Sequence, residues 1–214
     1  MAKIESTFKN MVLVLTGITI FAAVALGSVY SLTKEPIAAS KKAKQENAIR
    51  EVLPEYDRLD AEELVMLEGF EEPFAMYKAY KGDVFVGAAV QSYSTNGFSG
   101  AIKVMVGFDG DGAIINYSVL EQKETPGLGT KMTDWFKTEK GNQDIRGMKP
   151  EENNLTVSKD GGEVDAITAA TISSRAFLEA IQYAYKAYAQ NYDVISGATE
   201  KSEKLTANEE EDQL

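Results

Sequence analysis

Two short segments of the 214-residue chain carry residue types from which a site can be built. DAITAATISS, residues 165–174, sets a carboxylate, two threonines and two serines around small alanines, just ahead of a helical pattern. Backbone N–H groups in the first turn of a helix lack intrahelical partners. Hydroxyls at Thr171, Ser173 and Ser174 therefore either cap the helix or share its end with an anion such as a phosphate. Ala169 and Ala170 leave room for such a group. ETPGLG, residues 124–129, places Pro126 between Thr125 and two glycines, Gly127 and Gly129. A loop of this kind is either an ordinary tight turn or one that lets a flat ligand approach the main chain. Glu124 and Thr125 add an acceptor and a hydroxyl.

Composition narrows the chemistry. The chain has neither histidine nor cysteine. That excludes disulfides, cysteine-ligated iron–sulfur clusters, c-type haem attachment, His-based catalytic triads and His-ligated metals. No catalytic residue and no metal site is expected, and the work must fall to carboxylates, hydroxyls, amines, backbone groups or a bound organic cofactor. With 22 basic against 33 acidic residues, a net charge of −11, no nucleic-acid partner is expected either.

The elements that must position the two segments follow from pattern. Residues 10–33 contain no charge and read as a transmembrane helix, retained as a single-pass anchor behind the short segment 1–9. Lysines flank both ends, so the positive-inside count leaves the orientation undecided. A helical linker region, residues 34–72, follows, with a helix over 37–52 that carries Ile37, Ala38, Ala48, Ile49 and Val52 as apolar positions and stops before Pro54. The stretch LDAEELVMLEGFEEP is ambiguous between helix and strand.

From residue 73 the period changes from helical to alternating. FAMYKAY and VFVGAAVQSYS flank a Lys81-Gly82-Asp83 turn, and AIKVMVGF and AIINYSVLE flank residues 109–112. Two hairpins make an antiparallel sheet with a buried face. Residues 137–162 read as loops around one short strand at 155–158. A helix follows DAITAATISS, with Ala176, Phe177, Ala180, Ile181, Ala184 and Tyr188 on its inner stripe. The fold class is α+β: one transmembrane helix, then one domain over 73–190 with an antiparallel sheet and packed helices. Residues 191–214 form a polar acidic tail.

GFSG, AIKVMVGFDGDGAI, ETPGLGTKM and VDAITAATISSRAF occur in that order in the flavoproteins of two membrane redox pumps. The chain resembles the G subunits of Rnf-type ion-translocating electron-transport complexes. A related family is formed by the C subunits of sodium-translocating NADH:quinone oxidoreductases. The resemblance runs over about residues 8–190, and its most specific part is the pairing of ETPGLG with Asp-x-x-Thr-x-Ala-Thr.

The resemblance implies that 73–190 is an FMN-binding domain and that FMN is covalent. A flavin transferase would join FMN through its phosphate to Thr171, with Asp165 and Thr168 as upstream motif positions. Ala169 stands where that motif usually has glycine. Thr125, Gly127, Leu128, Gly129 and Lys131, with Glu124, would contact the flavin, as would Ala170, Ser173 and Ser174. A second motif match, DVISGAT at residues 193–199, makes Thr199 a secondary attachment candidate. The implied role is electron transfer inside a multi-subunit translocase of the cytoplasmic membrane, with the flavin domain on the periplasmic side and no catalysis by this chain alone. The alternatives are the C subunit of the quinone reductase, a stand-alone extracytoplasmic flavoprotein, and a membrane-anchored binding module without cofactor.

Overall fold

The computed structural model describes residues 7–191. Thr199 and the acidic tail beyond residue 191 lie outside the described residues. The first element, α1, is one continuous helix over Phe8–Val52, with Pro36 inside it. The apolar span and the helix at 37–52, read from the sequence as separate elements, are parts of this one helix. An 18-residue window in it has a mean hydropathy of 2.4 and is nowhere buried, so α1 is long and apolar enough to cross a membrane. The chain divides after Lys44 into two compact units. All that follows concerns the second, which begins at Gln45.

In that unit the last turns of α1 bury Ala48, Ile49 and Val52. The helix stops two residues before Pro54, whose ring disfavours the helical conformation at the residue before it. Two short strands follow, β1 (Arg58–Leu59), at the start of the ambiguous stretch, and β2 (Glu63–Val65), inside it. Both pair with the same strand, β3 (Phe74–Lys81), which hairpins into β4 (Val84–Ser94). The second hairpin is β5 (Ile102–Phe108) and β6 (Ile114–Glu121). The sheet is antiparallel, in the order β1-β3-β4-β5-β6 with β2 also on β3. The turn at 109–112 is held by the Asp109 carboxylate, whose Oδ1 accepts the N–H groups of Asp111 and Ala113 at 2.9 Å each.

Side-chain alternation divides the sheet into two faces. One carries Phe74, Met76, Ala88, Val90, Ile102, Val104, Val106 and Phe108, packed under the last helix, α3 (Thr171–Gln190). The other carries Ala79, Ala89, Met105 and Leu120, which pack with Ala48, Ile49 and Val52. Gly107 makes that second layer possible: a Cβ there would lie 1.9 Å from the Val52 carbonyl oxygen. All six residues of the expected stripe on α3 are buried.

Polar ties fix α3 along its length. Ser92 Oγ donates to the Ala180 carbonyl at 2.7 Å, Gln182 Nε2 to the Leu155 carbonyl at 2.7 Å, and Tyr188 Oη to the Asp109 carbonyl at 2.8 Å. Phe177 stacks on Phe136 at 4.6 Å between ring centroids, tying α3 to the residue after the short helix α2 (Met132–Trp135). The strand expected at 155–158 is a correction. Val157 makes only an isolated bridge to Val164, and residues from Ser158 to Asp160 form a 3₁₀ turn. Leu155 and Val157 are buried like strand residues, but no neighbouring strand among the described residues continues the ladder.

Candidate functional site

Thr171 is the first residue of α3, and Ala170 is its N-cap, with no side-chain cap hydrogen bond. The serines that could have capped the helix are committed elsewhere. Ser174 Oγ accepts the Ile167 N–H at 2.9 Å and donates to the Ala170 carbonyl at 3.0 Å, both in the interior. These bonds fold residues 167–170 back against the helix start, as a turn closed by Ala170 N–H to the Ile167 carbonyl at 2.9 Å. The third residue of that turn, Ala169, has φ +62°. Among the described residues it is the only non-glycine with positive φ. A type II turn requires that conformation, and glycine adopts it without strain. The usual glycine of the motif therefore has a conformational reason.

The ETPGLG loop approaches the same helix end. Ser173 Oγ donates to Glu124 Oε2 at 2.6 Å, and Glu124 Oε1 accepts the Ser99 N–H at 2.9 Å. Glu124 is 4% exposed, so its carboxylate links three segments in the interior. Gly129 is the point of closest approach: a Cβ would meet Ser173 Oγ at 2.6 Å and Glu124 Cβ at 2.7 Å. Within the loop, Leu128 N–H donates to the Thr125 carbonyl at 3.1 Å and Gly127 N–H to Thr130 Oγ1 at 2.9 Å.

Asp165 organises a third segment of the site. Its Oδ2 accepts the Asn142 N–H at 3.0 Å, its Oδ1 accepts the Ser158 hydroxyl at 3.3 Å, and its carbonyl accepts Trp135 Nε1 at 2.9 Å. The Ser158 bond holds the 3₁₀ turn beside α3. At the far end of that turn Asp160 accepts both Arg175 Nε, at 2.6 Å, and Arg175 Nη2, at 2.7 Å. The guanidinium holds the Asp160 carboxyl below the usual carboxylate range. Between these two anchors stands Lys159, whose Nζ lies 3.5 Å from Thr171 Oγ1.

The segments enclose a cleft of about 400 Å³ lined by Phe98, Thr125, Leu128, Gly129, Ala169, Ala170, Thr171, Ile172 and Ser173. Its volume lies in the range of cofactor sites, about 300–1,000 Å³. Its walls suit a flat aromatic ring carried on a phosphate. Phe98, Leu128 and Ile172 present apolar surface, glycine and alanine keep the backbone accessible, and the Thr171 hydroxyl on its lining has the Lys159 ammonium 3.5 Å away.

Comparison with known proteins agrees with this arrangement. A model of the family described as FMN-binding domain matches residues 97–186, which contain both motif segments and the loop of Phe98. A Yersinia pestis protein, named as the G subunit of the ion-translocating oxidoreductase complex, is 37% identical over 183 residues, covering 78% of this chain and 86% of the relative. Proteins of the same name from Vibrio vulnificus and Aliivibrio fischeri (strain MJ11) are 33% and 31% identical. They align with 77% and 84% of this chain and with 83% and 89% of their own lengths. The chain belongs to the G-subunit family of these complexes.

In this member of the family, half of the residues expected at the site line the cleft: Thr125, Leu128, Gly129, Ala170, Thr171 and Ser173. The other half surround it. Glu124 and Ser174 are buried and hold the walls together, as described above. Asp165 holds the Lys159 turn. Gly127 and Thr168 are exposed at turns, and Lys131 is exposed at the end of the 3₁₀ turn that follows the loop. Phe98, Ile172 and Lys159 are site residues that the sequence motifs do not assign. Phe98 had one available signal, its place in the GFSG segment.

The loop of Phe98 has its own anchor. Ser94 Oγ donates to Glu179 Oε2 at 2.5 Å, and Asn96 Nδ2 donates to the two Glu179 oxygens at 3.1 and 2.8 Å. Tyr183 Oη also donates to Glu179, at 2.7 Å. Partial burial alone would raise the Glu179 carboxyl, but the bonds from Ser94, Tyr183 and Asn96 outweigh it and hold the group below its ordinary value.

Proposed function

We propose that this chain is the membrane-anchored flavoprotein subunit of an Rnf-type ion-translocating oxidoreductase complex, with FMN joined covalently to Thr171. The observation that carries the reading is the meeting of the two motif segments in one cleft, with the Thr171 hydroxyl among its lining groups. The FMN-binding domain match and the relatives from ion-translocating oxidoreductase complexes support the cofactor class and the setting.

In the attachment step a flavin transferase would act on FAD. The Thr171 hydroxyl would give up its proton, its oxygen would bond to the phosphorus of the FMN half, and the P–O bond to the AMP half would break, the proton passing to the departing AMP. Bound FMN supplies reversible electron transfer, and the protein holds it and tunes it. Residues of the chain then have distinct tasks. The oxygen of Thr171 fixes one end of the cofactor. Leu128, Gly129 and Thr125 form one wall, and Phe98 and Ile172 give apolar cover. Glu124 and Ser174 keep those walls in register from inside. A covalent tether prevents loss of FMN from a domain outside the cytoplasm, where free FMN is scarce. We place the domain there, in the periplasm, with α1 as the single-pass anchor and the other subunits of the complex as partners.

The test is the intact mass of the full chain co-produced with a flavin transferase, beside Thr171→Ala and Thr199→Ala. One FMN adduct that vanishes only in Thr171→Ala is the expected result. Loss only in Thr199→Ala would move the site to the tail. No adduct on any form, with the transferase active on a control substrate, would favour a binding module without cofactor.

A further inference from the structure

We propose that Lys159 is the positioning cation of the flavin site, holding the phosphate carried on Thr171 by pairing with its non-bridging oxygens. This rests on the tether at Thr171. A phosphodiester on Thr171 Oγ1 carries one negative charge on oxygens attached to the phosphorus next to that atom. Lys159 Nζ is already 3.5 Å from Oγ1, so an ammonium at that position reaches the phosphate oxygens by rotation of its own side chain.

The turn that presents Lys159 is fixed on both sides. Ser158 donates its hydroxyl to Asp165 Oδ1 at 3.3 Å, and its N–H to the Val164 carbonyl at 2.8 Å. Asp160 is clamped by Arg175 from the first turns of α3, the same helix that begins with Thr171. Gly161 closes the turn with φ +84°, a left-handed position that glycine occupies without strain. The Asp160 carboxylate, the nearest acid in sequence, is occupied by the guanidinium. The Lys159 ammonium is therefore directed to the helix start rather than drawn into the Asp160 pair. This arrangement also gives the motif aspartate a task. Asp165 does not line the cleft, but it fixes the turn that carries the cation.

Loss of one exposed charge pair of this kind slows loading by up to about fivefold. It leaves the flavin midpoint potential unchanged, because the pair acts at the phosphate end and not at the ring.

The experiment compares full chains of wild type, Lys159→Ala, Lys159→Arg and, as a control at an exposed lysine paired with Glu55, Lys81→Ala, each incubated with active flavin transferase and FAD. Loading is followed by intact mass, and the phosphorus-31 NMR shift of the phosphodiester is recorded on loaded chains. The expected result is slower loading and a displaced phosphorus signal for Lys159→Ala, recovery of rate in Lys159→Arg, and wild-type behaviour in Lys81→Ala. Raised ionic strength should narrow the gap between wild type and Lys159→Ala. Wild-type loading and an unchanged phosphorus signal in Lys159→Ala would overturn the role of Lys159 while leaving the tether intact. A wild-type chain that acquires no FMN, or acquires it only at Thr199, would overturn the tether and this role with it.

Discussion

Ser173 and Glu124 are 49 residues apart in sequence, yet their side chains meet at 2.6 Å in the interior, hydroxyl to carboxylate. This bond ties the first turn of α3 to the ETPGLG loop and sets the width of the cleft between them. Truncating Ser173 to alanine removes one donor from a buried carboxylate, which then keeps the Ser99 N–H on its other oxygen. A buried acceptor left short of a partner costs about 1–3 kcal/mol. Urea unfolding of the full chain in detergent should show Ser173→Ala less stable by about that amount, with FMN loading reduced. Unchanged stability would mean that the loop and helix are held together by packing alone.

The two glycines of the loop serve different ends, and alanine at each separates them. At Gly129 a methyl group would lie within 2.7 Å of both Ser173 Oγ and Glu124 Cβ. Gly129→Ala must push the loop from the helix, at a cost of about 1–3 kcal/mol, and should impair loading. At Gly127 nothing lies within 4 Å of the added methyl, and only the φ of +76° opposes it. Gly127→Ala should cost about 1 kcal/mol in backbone strain and leave loading close to wild type. Equal loading defects in the two variants would show that loop conformation, not the approach to Ser173, governs the site.

Much of this is readable from the chain itself, for identifiable physical reasons. The alternation in 74–94 and 102–121 fits only a sheet with apolar sides, and turn residues separate the strands. The spacing of Ala176, Phe177, Ala180, Ile181, Ala184 and Tyr188 defines the buried face of α3. Thr171, Ser173, Thr125, Leu128 and Gly129 are legible because each lies inside a contiguous motif. Lys159 is not, because it reaches Thr171 only through the Asp165–Ser158 bond and the Asp160–Arg175 clamp. Phe98 reaches the cleft through Glu124 and Glu179, which lie about 25 and 80 residues further along the chain. Ser174 reads as a cap or ligand because its type favours helix starts, whereas its hydroxyl closes an interior turn. At 155–158 the apolar residues look like a strand, and only the missing neighbour strand makes them a turn.

Ala169 is an exception to its motif that can be tested directly. Its φ of +62° costs an L-residue about 1–2 kcal/mol. Ala169→Gly relieves that strain but raises the entropy of the unfolded chain, which offsets about 0.4–1 kcal/mol. The net expectation is a gain of between about 0 and about 1.6 kcal/mol, or up to about 3–6 °C in Tm for a unit of this size, with loading retained. Ala169→Val, with a branched side chain in the same conformation, should be less stable than wild type. A lower Tm for Ala169→Gly would mean that the turn at 167–170 does not hold Ala169 in the left-handed region.

The Glu179 network makes the Phe98 loop sensitive to acid. Burial raises this carboxyl, and the bonds from Ser94, Tyr183 and Asn96 lower it by more, so its folded value lies below its ordinary one. The unfolded chain therefore takes up the proton first as pH falls. The stabilisation is complete above the ordinary value of about 4.3 and is lost as pH drops through the lower folded value. Tyr183 shifts the other way, pushed up to about 12 by burial and by its bond to Glu179. Its share is complete below the ordinary tyrosine value of about 10 and is lost as pH rises towards 12. Glu179→Gln should be less stable than wild type at pH 7, and the difference should shrink on acidification to about pH 3. Urea midpoints of both chains across that range decide it. A gap that stays constant with pH would show that Glu179 acts through shape and hydrogen bonding alone, and that its charge does not hold the loop.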